Sequence, residues 1–231
     1  SCGGTVEIVV EPLVAVPEYV QALEQVAASL AGILTTGLDW SSGPVKRFSP
    51  QTVGPGEPAA ALSEDRRSLV ERLVPAPRVI VFGAGHVGSA IALAAAAAGF
   101  QALVLDDRSE FADPSRFPPH ISVSTAPAHD ALGRFAITAA DAVVIATRGH
   151  RHDALILERV APSSASYVGL LGSRRKKSVV TKALAQAGVP LEALERVRVP
   201  IGLAIGAVTP EEIAVSVVAE LIAWRRGAAT A

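Results

Sequence analysis

Apolar residues fall along this chain in two spacings. Short continuous runs at residues 79–82, 101–105, 121–124, 142–146 and 166–171 predict buried strands. Stretches of helical spacing come after them: an Ala-rich run ending at Ala98, then 153–160, 174–187 and a last helix ending at Arg226. Strand alternating with helix implies an α/β fold, a Rossmann-like parallel sheet with helices on both faces. The last helix has the best-defined start, with Thr209 as N-cap, Pro210 at N1 and Glu212 at N3 to close a capping box. Ile213, Val217, Leu221 and Trp224 are its expected core residues. Its glycine-rich approach, residues 201–208, suits either a ligand-facing loop or a tight turn.

Residues 1–76 read as a small N-terminal α+β part. TVEIVV at 5–10 alternates and then runs apolar, as a strand entering a core, with Ser1-Cys2-Gly3-Gly4 as the turn before it. That strand finds few partners in the residues after it, so further residues are expected upstream. Residues 17–32 predict a helix, with Pro17 in its first turn, Tyr19, Leu23, Val26, Ala27 and Leu30 on one face, and Gly32 near its end. Next come a short strand at 45–48, an exposed Pro- and Gly-rich loop at 49–58, and a second helix at 63–73 with Glu64 and Asp65 in its first turn. Pro75-Ala76-Pro77 stops that helix, which places the boundary between an N-terminal part, 1–76, and a Rossmann part, 77–231.

The strongest chemical signal is Gly83-Ala84-Gly85-His86-Val87-Gly88 between strand and helix, with Asp106-Asp107 ending the next strand. In such a turn Gly83 permits the tight bend, Gly85 the approach of a phosphate to the backbone, and Gly88 close helix–sheet packing. Free N–H groups and the positive end of the helix dipole complete an anion site. Asp106 stands where a ribose hydroxyl is bound, with Asp107 behind it, which favours NAD or another nucleotide over one with a 2′-phosphate. The same glycines would also serve helix packing with no ligand.

Other clusters carry chemistry less specifically. In Thr147-Arg148-Gly149-His150-Arg151-His152-Asp153, at the carboxyl edge of the sheet, His150 and Asp153 suit metal binding, proton relay or phosphate contact, or simply helix capping. Arg174, Arg175 and Lys176 open a helix against its dipole, which an anion would offset. His86 could approach the same anion as the glycine turn or face solvent. Cys2, before Gly3-Gly4, suits a soft metal or sulfur species if it lies on an exposed turn, and an inert core if not.

Composition narrows the classes. Net charge is −1 with signs interspersed, which leaves no electrostatic footprint for nucleic acid. A single cysteine excludes an internal disulfide framework and a multi-cysteine zinc site, and fits a cytoplasmic chain. No apolar run reaches the roughly 20 residues of a membrane span. No nucleophile–His–acid triad can be assembled from the sequence, and no HExxH, Walker A lysine or paired glycosidase carboxylates appear.

Taken in order, SCGGTVE, FGAGHVG with LDDR, ATRGHRHD, YVGLLGSRRK and IGLAIGAVTPEEIAVSVVAEL resemble the XdhC/CoxI family, accessory proteins of xanthine dehydrogenase and related molybdenum hydroxylases. The resemblance implies a protein that binds molybdenum cofactor (molybdopterin), protects it while its terminal sulfur is installed, and hands it on. Its implied partners are an apo molybdenum hydroxylase of the xanthine dehydrogenase type and a cysteine desulfurase, and it admits a homodimer. It implies a chaperone rather than a catalyst, with Cys2 as a cofactor and metal ligand. Two departures stand out. Family members carry a further N-terminal stretch before the CGG motif, and many relatives have Asp or Pro where this chain has Ala204. An NAD-dependent oxidoreductase and a non-catalytic nucleotide-binding module remain the alternatives.

Overall fold

A computed structural model of the chain describes residues 8–11, 16–27, 30–39, 41, 45–51, 53, 59–127, 130, 132–133 and 135–228. The chain divides into two compact units, Ser1–Pro75 and Ala76–Ala231.

The first unit contains helix α1 (Val16–Ala27) and four strands, β1 (Gly32–Gly37), β2 (Lys46–Pro50), β3 (Ala60–Leu62) and β4 (Ser68–Leu73). They form an antiparallel sheet in the order β2-β1-β4-β3. The residues expected to end one helix and to form another are strands instead. α1 stops at Ala27 and Gly32 opens β1, where it pairs with both Pro50 and Leu73. A side chain at Gly32 would run into the Phe48 ring, so this glycine serves strand packing. The Ser-Glu-Asp run that suggested a helix start makes a hairpin turn. Asp65 accepts hydrogen bonds from the Ser63 hydroxyl and the Arg67 N–H, Ser63 N–H donates to the Ser68 carbonyl, and Arg66 has φ +56°. Short polar side chains that cap helices bond turns equally well, and here strand pairing decides. β2 runs on through Pro50 into the stretch expected to be loop. Ile8, Val9 and Val10 are in no strand and are exposed, and residues 1–7 lie outside the described residues.

The second unit is the α/β fold. Strands β5 (Arg78–Phe82), β6 (Gln101–Asp106), β7 (Ser122–Thr125), β8 (Asp141–Ile145) and β9 (Tyr167–Leu170) make an all-parallel sheet in the order β7-β6-β5-β8-β9. The order reverses at β5, between β6 and β8. In open α/β sheets such a switch point opens a crevice at the carboxyl ends of the strands.

Strand alternation sends Val79 and Val81 to one face and Ile80 and Phe82 to the other. The first face is covered by α2 (His86–Ala97) through Ile91, Ala92 and Ala95, and by α6 (Pro210–Arg226) through Ala214, Val217 and Leu221. The second is covered by α3 (His150–Val160) and α4 (Arg174–Gln186), with the short α5 (Leu191–Glu195) alongside. α6 starts on the expected capping box, with the Thr209 hydroxyl accepting from the Glu212 N–H and the Glu212 carboxylate from the Thr209 N–H, and ends on left-handed Gly227. α3 begins at His150, earlier than the expected residue 153.

Candidate functional site

The three glycines of the turn have different reasons to be glycine. Gly83 has φ +106°, and a Cβ there would meet the Ala146 backbone. A Cβ on Gly88 would strike the Gly83 carbonyl oxygen. Both are explained by the chain itself. Gly85 is not: it is the N-cap of α2 at φ −66°, ψ −177°, a conformation open to any residue, and nothing lies within 4 Å of where its Cβ would be. No side chain caps α2 there, so its first N–H groups have no side-chain acceptor. His86, the first residue of α2, is exposed beside it. Arg116 also reaches this turn, donating to the Ala84 carbonyl at 3.1 Å, to the Phe111 carbonyl, and to the Ser89 hydroxyl at 3.4 Å. No motif in the sequence points to Arg116, which arrives from a proline-rich connection on the 3₁₀ turn Pro114–Arg116.

Asp106 ends β6 buried, and its oxygens are taken up internally. They accept from the Ala84 N–H at 2.7 Å, the Arg108 N–H at 3.0 Å, and Arg108 Nε and Nη2, both at 2.9 Å. Burial alone would raise the carboxyl's pKa. Hydrogen bonds from the Arg108 side chain and from the two backbone N–H groups outweigh it and hold the group below the ordinary carboxylate range. Arg108 in turn lies over the Phe111 ring, 3.7 Å from its centroid. Asp107 is different: its side chain is 37% exposed, with Arg148 Nη2 at 3.3 Å and His152 Nε2 at 3.9 Å.

Between the ends of β6 and β8 lies a cavity of about 270 Å³. Gly83, Asp106, Asp107, Arg108, Arg148 and His152 line it together with apolar Ala126, Pro127, Leu155 and Ile156. The structure thus brings Gly83 and both acids to one place. His152 rather than His150 joins them, while His150 is exposed at the start of α3. Arg174 lies on an open groove of about 690 Å³ along α4 and Leu191, away from this cavity.

Asp153 is fully buried under the β8 loop. Its Oδ1 accepts from the Thr147 hydroxyl at 2.6 Å, and Lys176 Nζ stands 2.6 Å from Oδ2, an ion pair outside hydrogen-bond angles. Lys176 Nζ also donates to the Leu171 carbonyl at 2.8 Å, and Lys177 Nζ to the Val197 carbonyl at 2.8 Å. The lysines at the start of α4 therefore meet internal oxygens, and the Ser173 hydroxyl caps the helix.

A second buried carboxylate, Glu220 of α6, accepts from the Tyr167 hydroxyl at 2.8 Å, Arg198 at 2.8 Å and the Gly202 N–H at 2.6 Å. Burial first, then the Glu220 charge, pushes the Tyr167 phenol far above its usual pKa, so it stays a donor. This network fixes the 201–208 loop, on which Ala204 is exposed. Among the described residues no group of three or more His, Cys, Asp or Glu side chains could hold a metal ion, and Cys2 lies outside them. No described helix is long and apolar enough to cross a membrane.

The chain is similar to known proteins in sequence and in fold. The sequence profile of the XdhC Rossmann domain family matches residues 79–221. Over 158 residues the chain is 39% identical to a probable xanthine dehydrogenase subunit of Bacillus subtilis (strain 168), covering 68% of this chain and 46% of that protein. Over 153 residues it is 38% identical to the uncharacterized protein YqeB of Escherichia coli (strain K12), covering 66% of this chain and 28% of that one. The chain thus spans less than half the length of these relatives. A crystal structure of a xanthine dehydrogenase from Bacillus halodurans superposes with a TM-score of 0.73 at 26% identity, covering 94% of this chain and 66% of that one.

Proposed function

Because this chain belongs to the XdhC Rossmann domain family, we propose that it is a maturation factor for a molybdenum hydroxylase of the xanthine dehydrogenase type. It binds molybdenum cofactor as cargo and passes it to the apo-enzyme, and its Rossmann unit holds a phosphate, of a nucleotide or of the pterin, at the start of α2. The observation that carries the phosphate site is Gly85: a glycine that neither backbone conformation nor packing requires, in front of uncapped helix N–H groups. Cys2 suits the metal end of the cargo, since a thiolate is a soft ligand. An NAD-dependent oxidoreductase would use the same turn and cavity, and the cargo distinguishes the two readings.

The test is to incubate the chain with released cofactor and, separately, with NAD⁺, desalt it, and measure retained molybdenum, pterin and nicotinamide. Wild type retains molybdenum and pterin. Cys2→Ser loses them with folding intact, and Gly85→Val weakens phosphate binding by filling the open approach. Retention of nicotinamide in place of pterin would support the oxidoreductase. Retention of neither by wild type would overturn both readings.

A further inference from the structure

The two signs of charge are interspersed along this chain except in one place. Net charge is −1, yet no Asp or Glu stands between Arg159 and Leu191, and α4 within that stretch carries Arg174, Arg175, Lys176, Lys177 and Lys182. Arg174 and Lys177, three residues apart, are neighbours on the helix surface and repel each other, and the cations at the helix start also oppose its dipole. Internal oxygens relieve part of this: Lys176 lies on Asp153, and Lys177 donates to the Val197 carbonyl. Arg174, Arg175 and Lys182 are exposed and meet no acceptor among the described residues.

Two of these free cations share a groove. Arg174 and Lys182, with Lys177 between them, line the open groove of about 690 Å³ along α4 and Leu191, and no acid is in its lining. Between the cations lie the short side chains of Ser178, Thr181 and Ala185, at helical spacing on one face of α4. Leu191, 59% exposed, makes an apolar lip. Short side chains let a second helix come near the close end of the 8–10 Å range of helix packing. The Ser173 hydroxyl already caps α4, so the place for an opposite charge is along the side of the helix rather than at its start.

We infer that this groove is a docking site for an acidic helix of a partner protein. Arg174 and Lys182 are eight residues apart, about 12 Å along the axis, so carboxylates two turns apart on the incoming helix match them. Its small and apolar side chains lie on Ser178, Thr181 and Ala185 against Leu191, the helix-in-groove mode of recognition. The recess favours a helix over an anionic membrane, since a flat surface would meet the cations and leave the short side chains between them uncovered. The groove is away from the glycine turn and its cavity and needs no cofactor, so the inference stands or falls independently of the maturation reading.

Fluorescence anisotropy on the full chain tests this, with a labelled helical peptide that bears glutamates two turns apart beside a face of alanine and leucine, and with its glutamine counterpart. The glutamate peptide should bind about tenfold or more tighter at low ionic strength, and its lead should shrink toward about 0.15 M salt. Arg174→Glu combined with Lys182→Glu should weaken it by about tenfold or more, while Arg151→Glu, at an exposed cation of α3 outside the lining, should leave it unchanged. Ser178→Trp fills the recess without changing the charge and should abolish binding. An acid at the start of α4 suits the helix dipole, so the double variant keeps its fold, and melting curves on every variant check this. If Arg151→Glu weakens the peptide as much as the double variant does, the attraction is diffuse and the inference is overturned. If Ser178→Trp is silent, the cations act without a seat and it is overturned again. If the peptide does not bind but the chain sediments with phosphatidylglycerol vesicles, and the double variant does not, the surface meets lipid instead and the inference fails. Binding of neither peptide nor vesicles also overturns it.

Discussion

At the scale of single residues, Asp106 shows how a recognisable motif position can be claimed by the fold. Its carboxyl is held below the ordinary carboxylate range, so the unfolded chain takes up a proton first as pH falls. Its contribution to stability is therefore complete above the unfolded value near ~4 and is lost as pH drops through the lower folded value. Asp106→Asn should be less stable than wild type by on the order of 2 kcal/mol at pH 7. Urea midpoints should show that gap closing below about pH 4, where protonation removes the advantage of the carboxylate. A gap that stayed constant with pH would mean that the charge itself contributes nothing. The glycines and the acids were legible in the sequence, but their division of labour was not. That depends on where Ala84 and Arg108 point, and neither belongs to a motif for any chemical reason.

At the scale of elements, α4 overturns a simple expectation from the helix dipole. Arg174, Arg175 and Lys176 at a helix start look like an unrelieved cost, yet Lys176 lies on the buried Asp153 and ties the connection after β8 to the connection after β9. Lys176→Met should cost about 3–5 kcal/mol by leaving Asp153 charged and unpaired, toward the lower figure because the lysine is 15% exposed. Arg174→Ala, at an exposed position, should be neutral or slightly stabilising. Denaturant unfolding of the two variants checks this, and a loss under about 1 kcal/mol for Lys176→Met would mean that water replaces the lysine. The parallel sheet was legible because residues 79–82 and 142–146 are apolar without interruption, as buried strands must be. The antiparallel sheet of the first unit was not. β1, GILTTG, is short and half polar, and the Ser63–Asp65 turn chemistry is shared with helix starts. Pairing across sequence, which no local pattern records, makes those strands.

At the scale of the molecule, Ala76–Ala231 has cores on both faces of its sheet and contains the turn, both acids and the cavity. Expressed alone it should unfold in one cooperative transition, and any binding of inorganic pyrophosphate by the full chain should be kept by it. Failure to fold would show that Ser1–Pro75 supplies part of its stability, and loss of binding by a folded unit would place part of the site outside it. The covering of the sheet also has an order in time. α6 seals the face that α2 half covers, and it is synthesised after all five strands. A ribosome making this protein therefore holds a nascent sheet with one oily side open until the TPEEIAVSVVAEL segment has left the exit tunnel. Until then the open side is exposed to aggregation, and a premature stop before Pro210 would leave it open permanently and the product prone to aggregate.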